Sequence, residues 1–136
     1  MEDVVTRYWQ RPATCEDVER ALRQDPNDDV APPAGLFVLA VADREPIGCG
    51  GVRFHDDGVA ELCRVWVVRA MRRHGIGTRI VARLEQEAVT RGQTCMRLDT
   101  RRDLIEARAL YARLGYREVP PFNDAPYADQ WFEKQL

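Results

Sequence analysis

The sequence predicts an α/β domain: one mixed sheet with helices on its faces. Three observations predict it. β-rich runs come first in hairpin order, around turns at Asp43–Pro46 and His55–Gly58. A strand–helix–strand–helix order follows, with the hydrophobic period switching between 2 and 3.6. Two further strand-like runs, separated by Pro120-Pro121, close the chain. At 136 residues this is one domain, residues 1–136, long enough to bury about 68% of its unfolded surface. It divides into N-terminal helices and a loop over 1–35 and a sheet-containing core over 36–136.

Each element has a local reason. Glu2–Trp9 places Val4, Val5, Tyr8 and Trp9 on one helical face before Pro12. Thr14 and Asp17 resemble a capping box that opens a helix to about Gln24. Asp25–Gly35, with three prolines and three aspartates, is a loop. Leu36–Ala42, Ile47–Phe54 and Val59–Val68 alternate as strands. That alternation puts Glu61 on one face with Cys63, Val65 and Val67. A helix then runs to Arg91 and stops at Gly92, with Glu87 and Arg91 an i,i+4 pair. Cys95–Asp99 is a strand. Asp103 with Glu106 predicts the cap of a helix over Leu104–Leu114, which Gly115 closes. Tyr116–Val119 and Tyr127–Lys134 are the last strands.

Composition narrows the function. Hydrophobic content of 45% and charged content of 31% are ordinary for a globular protein. Four cysteines without CxxC spacing predict free thiols in a reducing cytoplasm rather than a disulfide framework or a metal site. An N-terminal Met-Glu-Asp and the lack of a spanning apolar run predict neither a leader nor a membrane partner. No nucleic-acid partner is expected. The net charge of −2 divides unevenly: 13 acids against 6 arginines over residues 1–61, then 14 basic residues against 9 acids over 62–136. Scattered surface charge accounts for this as readily as a basic half for an anionic ligand and an acidic half for a cationic one.

The most informative segment is Arg72-Arg73-His74-Gly75-Ile76-Gly77-Thr78, between a β-branched run and an amphipathic one. Glycines let backbone approach a ligand, and a helix start offers unpaired N–H groups and partial positive charge. Between Leu62 and Leu84 there are six arginines and no acid. Helix-end amides with Arg72, Arg73 and His74 therefore predict a site for a phosphate-rich ligand. A nucleotide P-loop is excluded, since Gly77 is followed by Thr78-Arg79, and the dinucleotide pattern fails at Ile80.

Arg72-x-x-Gly75-x-Gly77 and, downstream, Leu110-Tyr111-Ala112-Arg113-Leu114-Gly115-Tyr116 together resemble the GNAT N-acetyltransferase superfamily. The resemblance runs from about Leu36 to the C-terminus. It implies a mostly antiparallel mixed sheet, splayed open between two strands, with the family's first strand missing. It implies acetyl-CoA as co-substrate and no metal. The backbone of Val65, Trp66 and Val67 would bind the pantetheine arm like an added strand, and the amides of Arg73, His74, Gly75, Ile76, Gly77 and Thr78 would hold the pyrophosphate.

Tyr111 is the candidate general acid, protonating a departing thiolate whose thiol has a pKa near about 8.5. Taken without the resemblance, its helical spacing beside Leu110 and Leu114 favours a core aromatic. Glu61 stands where the histone-modifying branch keeps its general base. A strand glutamate paired with Arg53 or Arg64 is the competing reading. The implied reaction is direct attack of a primary amine on acetyl-CoA, with a small molecule or peptide as acceptor. Asn123, Tyr127 and Asp25–Gly35 would line the acceptor groove. A non-catalytic acyl-CoA-binding module and transfer to protein N-termini are the alternatives. The sheet edge and the aromatic last strand make a homodimer reasonable.

Overall fold

The protein is described by a computed structural model over residues 32–136. The expected helices Glu2–Trp9 and Thr14–Gln24, and most of the Asp25–Gly35 loop, lie outside the described residues. Six strands and two α-helices follow: β1 (Gly35–Ala42), β2 (Glu45–Phe54), β3 (Val59–Val67), a 3-10 turn (Arg69–Met71), α1 (Ile76–Thr90), β4 (Cys95–Thr100), α2 (Ile105–Arg113), β5 (Arg117–Val119) and β6 (Gln130–Gln135). They form one sheet in the order β1-β2-β3-β4-β6-β5. Every neighbouring pair is antiparallel except β3–β4. This is the mixed, mostly antiparallel sheet that the sequence predicts. Among the described residues no strand precedes β1, which is an edge.

The core lies between α1 and one face of the sheet. α1 buries Ile76, Ile80, Val81, Leu84 and Ala88, a 3.6-period stripe, in one cluster with Val52, Ala60, Leu62, Met96, Leu98 and Phe132. The helix comes this close because β2 carries glycine beneath it. A Cβ on Gly50 would lie 2.6 Å from Ile80 Cγ2 and 3.0 Å from Leu84 Cδ1. Along its exposed flank Glu87 bridges Arg83 at 3.0 Å and Arg91 at 2.6 Å. α2 lies against the start of α1, where Leu110 Cδ2 is 3.1 Å from the position of a Cβ on Gly77.

Two features of the sheet position the site. The first is where β3 and β4 part. Their pairing covers only Val59–Glu61 against Cys95–Arg97. The second is a bulge in β3, where the register against β2 shifts between Cys49 and Gly51 and two residues, Arg64 and Val65, oppose Gly50. Arg64 takes φ +55°, and its carbonyl accepts a bond from buried Cys49 Sγ at 3.3 Å. The extra residue reverses the alternation expected from sequence. Val65 and Val67 pack on the core beneath α1, while Glu61 and Cys63 stay on the opposite face.

Two local expectations are corrected. Asp103 does not cap α2, since Leu104 is the N-cap and no side chain caps it. Asp103 instead takes a bidentate pair with Arg101 at 2.9 and 2.8 Å, a charge-assisted fork that engages both carboxylate oxygens. The last strand begins at Gln130 rather than Tyr127. Turn bonds hold the preceding residues: Asp129 N–H donates to Thr100 O, and Asp129 Oδ1 accepts from the Arg102 amide at 2.6 Å.

Candidate active site

A cleft of about 1070 Å³ opens where β3 leaves β4. Its walls are the end of β3 (Val65, Trp66, Val67), the turn Arg72-Arg73 with Gly75–Thr78, and α2 with Leu110 and Tyr111. Of the residues expected to bind cofactor, all line it except His74, which is exposed on the turn.

The floor is backbone. Val68 N–H donates to Ile47 O at 2.8 Å. Antiparallel alternation therefore turns Trp66's peptide groups toward β2 and those of Val67 away from it, into the cleft. Arg72 Nε donates to Val67 O at 2.9 Å, which ties the basic turn to the strand edge. Gly75, at φ +78°, reverses the chain into α1, a conformation that costs glycine nothing. The first α-helical bond runs from Arg79 N–H to Gly75 O. The amides of Ile76, Gly77 and Thr78 thus have no helical acceptor. Among the described residues no side chain caps them, and no acid lies in the first turn. Such an end, facing a cleft with Arg69, Arg72, Arg73 and Arg113 on its walls, has the charge and the free N–H groups to receive an anion.

Tyr111 is at the far end of the cleft, buried to 6% exposure, edge-on to Tyr116 with ring centroids 5.7 Å apart. Burial, then Cys63 and Asp99, push its phenol pKa well above the ordinary value, so it stays protonated across the neutral range. Tyr116 is raised too, by burial and by Glu85. It donates to Glu85 Oε2 at 3.3 Å, and Lys134 Nζ pairs with the same carboxylate at 2.9 Å. Tyr111 is thus packed in the core and also borders the cleft.

The other expected residues lie away from the cleft walls. Glu61 is the last β3 residue paired with β4, and its carboxylate meets His55 Nε2 at 3.0 Å and Arg53 at 3.4 Å. Tyr127 is 49% exposed on the β5–β6 connection. Asn123 is turned inward: its Oδ1 accepts from Trp131 Nε1 at 2.9 Å and from the Ala125 amide, and its Nδ2 donates to Asp99 Oδ2 at 2.9 Å. Asp99 was not expected. The sequence signal for it was strand alternation, which places it on the face of Arg97 and away from Leu98.

The model of the acetyltransferase (GNAT) family matches residues 1–116. The chain belongs to that family. It is 30% identical over 99 residues to an IAA acetyltransferase of Azospirillum brasilense, covering 72% of this chain and 63% of that protein. It spans from 39% to 63% of the length of the curated relatives it matches. A GNAT-family acetyltransferase of Staphylococcus aureus Mu50 superposes with a TM-score of 0.80 at 16% identity, covering 98% of this chain and 86% of that one. An aminoglycoside 6'-N-acetyltransferase in complex with coenzyme A gives a TM-score of 0.69 at 23% identity, over 98% and 87% of the two chains. Among the described residues no helix is long and apolar enough to cross a membrane.

Proposed function

We propose that this chain is an N-acetyltransferase that moves the acetyl group of acetyl-CoA to a primary amine of a small molecule or peptide by direct attack. The observation that carries the reading is the uncapped start of α1, whose amides border the cleft beside Val67 and Arg72. Val65 and Val67 would pair with the pantetheine arm as a short added strand. Ile76, Gly77 and Thr78 amides, with Arg72, Arg73 and His74, would hold the diphosphate.

In the chemical step the acceptor ammonium loses one proton, passed through water to Glu61. The amine nitrogen then attacks the thioester carbonyl, and a backbone N–H at Val65–Val67 stabilises the oxyanion. On collapse the C–S bond breaks and the sulfur takes the Tyr111 proton. The second proton on nitrogen returns through water to the Tyr111 phenolate, and Glu61 releases the first proton to solvent, which restores the enzyme. Asn123 and Tyr127 would border the acceptor side. The reduced thiols Cys49, Cys63 and Cys95 fit a cytoplasmic setting. The exposed row Phe37, Leu39 and Val41 on edge strand β1 supports a homodimer, which light scattering after gel filtration checks.

The test is thiol release from acetyl-CoA with a panel of primary amines, alongside calorimetric binding of CoA. Turnover with micromolar binding is expected. Binding with no turnover on any amine would leave an acyl-CoA-binding module, and absence of both would refute the reading.

A further inference from the structure

The phenol that borders the cleft sits on a lightly anchored helix. Tyr111 is the one buried residue of α2, and it lines the cleft from there. Among the described residues no hydrogen bond fixes its hydroxyl. Where that hydroxyl points therefore depends on how the ring is packed, and the ring rests on Tyr116.

Tyr116 is held at its backbone by the way α2 stops. Gly115 takes φ +92°. Its N–H donates to Ala112 O at 3.2 Å, and Tyr116 N–H donates to Tyr111 O at 3.0 Å. These are the paired bonds of a Schellman stop, which folds the residue after the glycine back over the last helical turn. Here that motif brings Tyr116 onto Tyr111. The two rings meet edge to face, with centroids 5.7 Å apart and planes at 62°.

The far end of the Tyr116 ring is held as well. Its hydroxyl donates to Glu85 Oε2 at 3.3 Å. Lys134 Nζ donates to both oxygens of that carboxylate, at 3.0 and 2.9 Å, and lies 5.7 Å from the Tyr116 ring centre. The ring is thus held from α1, from β6 and from the end of α2. Glu85 refers its position to the same helix whose opening amides border the cleft.

We infer that Tyr116 is a positioning residue for acetyl transfer: anchored by Glu85 and Lys134, its ring aims the Tyr111 hydroxyl into the cleft. This rests on the acetyltransferase reading above, with Tyr111 as its proton donor. The demand is geometric, because a general acid works only within hydrogen-bond reach of the leaving sulfur. A displacement of about 1 Å at such a centre costs on the order of 100-fold in rate.

The experiment measures kcat with the best amine of the panel for Tyr116→Leu and Tyr116→Phe, each alone and in a Tyr111→Phe background. Acetyl-CoA affinity is measured on every protein as the check on folding. Tyr116→Leu removes both the edge contact and the anchor, so kcat should fall about 10- to 100-fold while acetyl-CoA affinity holds. Tyr116→Phe keeps the packed ring and frees only its hydroxyl, so a smaller fall of about 2- to 10-fold is expected. In the Tyr111→Phe background neither substitution should lower kcat further, since no hydroxyl is left to aim. A purely structural role would instead carry over in full. A kcat unchanged in both single variants overturns this assignment alone. So does an equal fall in the two backgrounds, or a fall matched by an equal loss of acetyl-CoA affinity. A wild-type kcat in Tyr111→Phe removes the proton donor, and this assignment with it. No transfer by wild type to any amine overturns the acetyltransferase reading itself.

Discussion

Replacing Tyr111 by Phe separates the two roles that this side chain combines. The phenyl ring keeps its burial and its edge contact with Tyr116. Among the described residues the hydroxyl makes no hydrogen bond that the substitution would orphan. Stability should therefore change by less than about 1 kcal/mol, a shift in Tm of no more than about 4 °C for a domain of this size. Acetyl-CoA affinity should hold, because the diphosphate amides and the Val67 edge are untouched. Turnover is a different matter. Loss of a positioned general acid lowers kcat by about 10²- to 10⁴-fold. The defect should also depend on pH in a defined direction. A thiol near pKa about 8.5 leaves unaided as the thiolate once pH exceeds that value, whereas wild-type Tyr111, with its raised pKa, stays protonated there. The wild-type to variant ratio should thus narrow above about pH 8.5. Stopped assays of kcat between pH 6.5 and 9.5, taken as a window about that pKa, with parallel thermal melts, test it. A kcat unchanged by the substitution, or a fall matched by an equal loss of stability, would refute proton donation and leave Tyr111 a core aromatic.

Gly50→Ala places a methyl 2.6 Å from Ile80 Cγ2, so α1 must retreat; a loss of about 1–3 kcal/mol in thermal or urea unfolding is expected, with weaker acetyl-CoA binding because the helix start moves with it. Glu61→Gln should lower kcat at neutral pH and recover as pH rises, whereas a flat wild-type-like profile would assign the first proton to a water chain instead. Stability should decline above about pH 10, measured by urea titration. Tyr111 and Tyr116 are raised in the folded state, so the unfolded chain loses their protons first, at about 1.4 kcal/mol per pH unit for each group. Tyr111→Phe should make that decline shallower.

Local chemistry made much of the molecule legible. β1, β2, β3 and α1 follow from alternation and from the Ile80, Val81, Leu84, Ala88 stripe, because one buried face dictates a period. The Arg72–Thr78 turn was legible because an αL glycine before an uncapped helix has few other uses. What stayed hidden was tertiary. An arginine in the αL region at position 64 has no sequence mark, since the bulge is set by pairing with β2. Asp103 bonds Arg101 rather than the helix start, a contest between partners that spacing cannot decide. The Asp99–Asn123 bond joins residues 24 apart, and only the folded β4–β6 ladder brings them together.

The Arg64 bulge sets how the end of β3 meets the start of α1. Without it, Val65 and Val67 would project from the opposite face of the sheet, and Arg64 and Trp66 would take their places beneath α1. On that face the Asp99 carboxylate accepts a bond from Asn123 of the β5–β6 connection, and Asn123 is itself held by Trp131 of β6. With the bulge, both valines join the cluster that holds Ile76, Ile80 and Leu84, and the backbone edge of Val67 is left to the cleft. The same apolar contacts thus fix the strand edge and the helix amides relative to one another, and any ligand spanning the two meets a preformed gap.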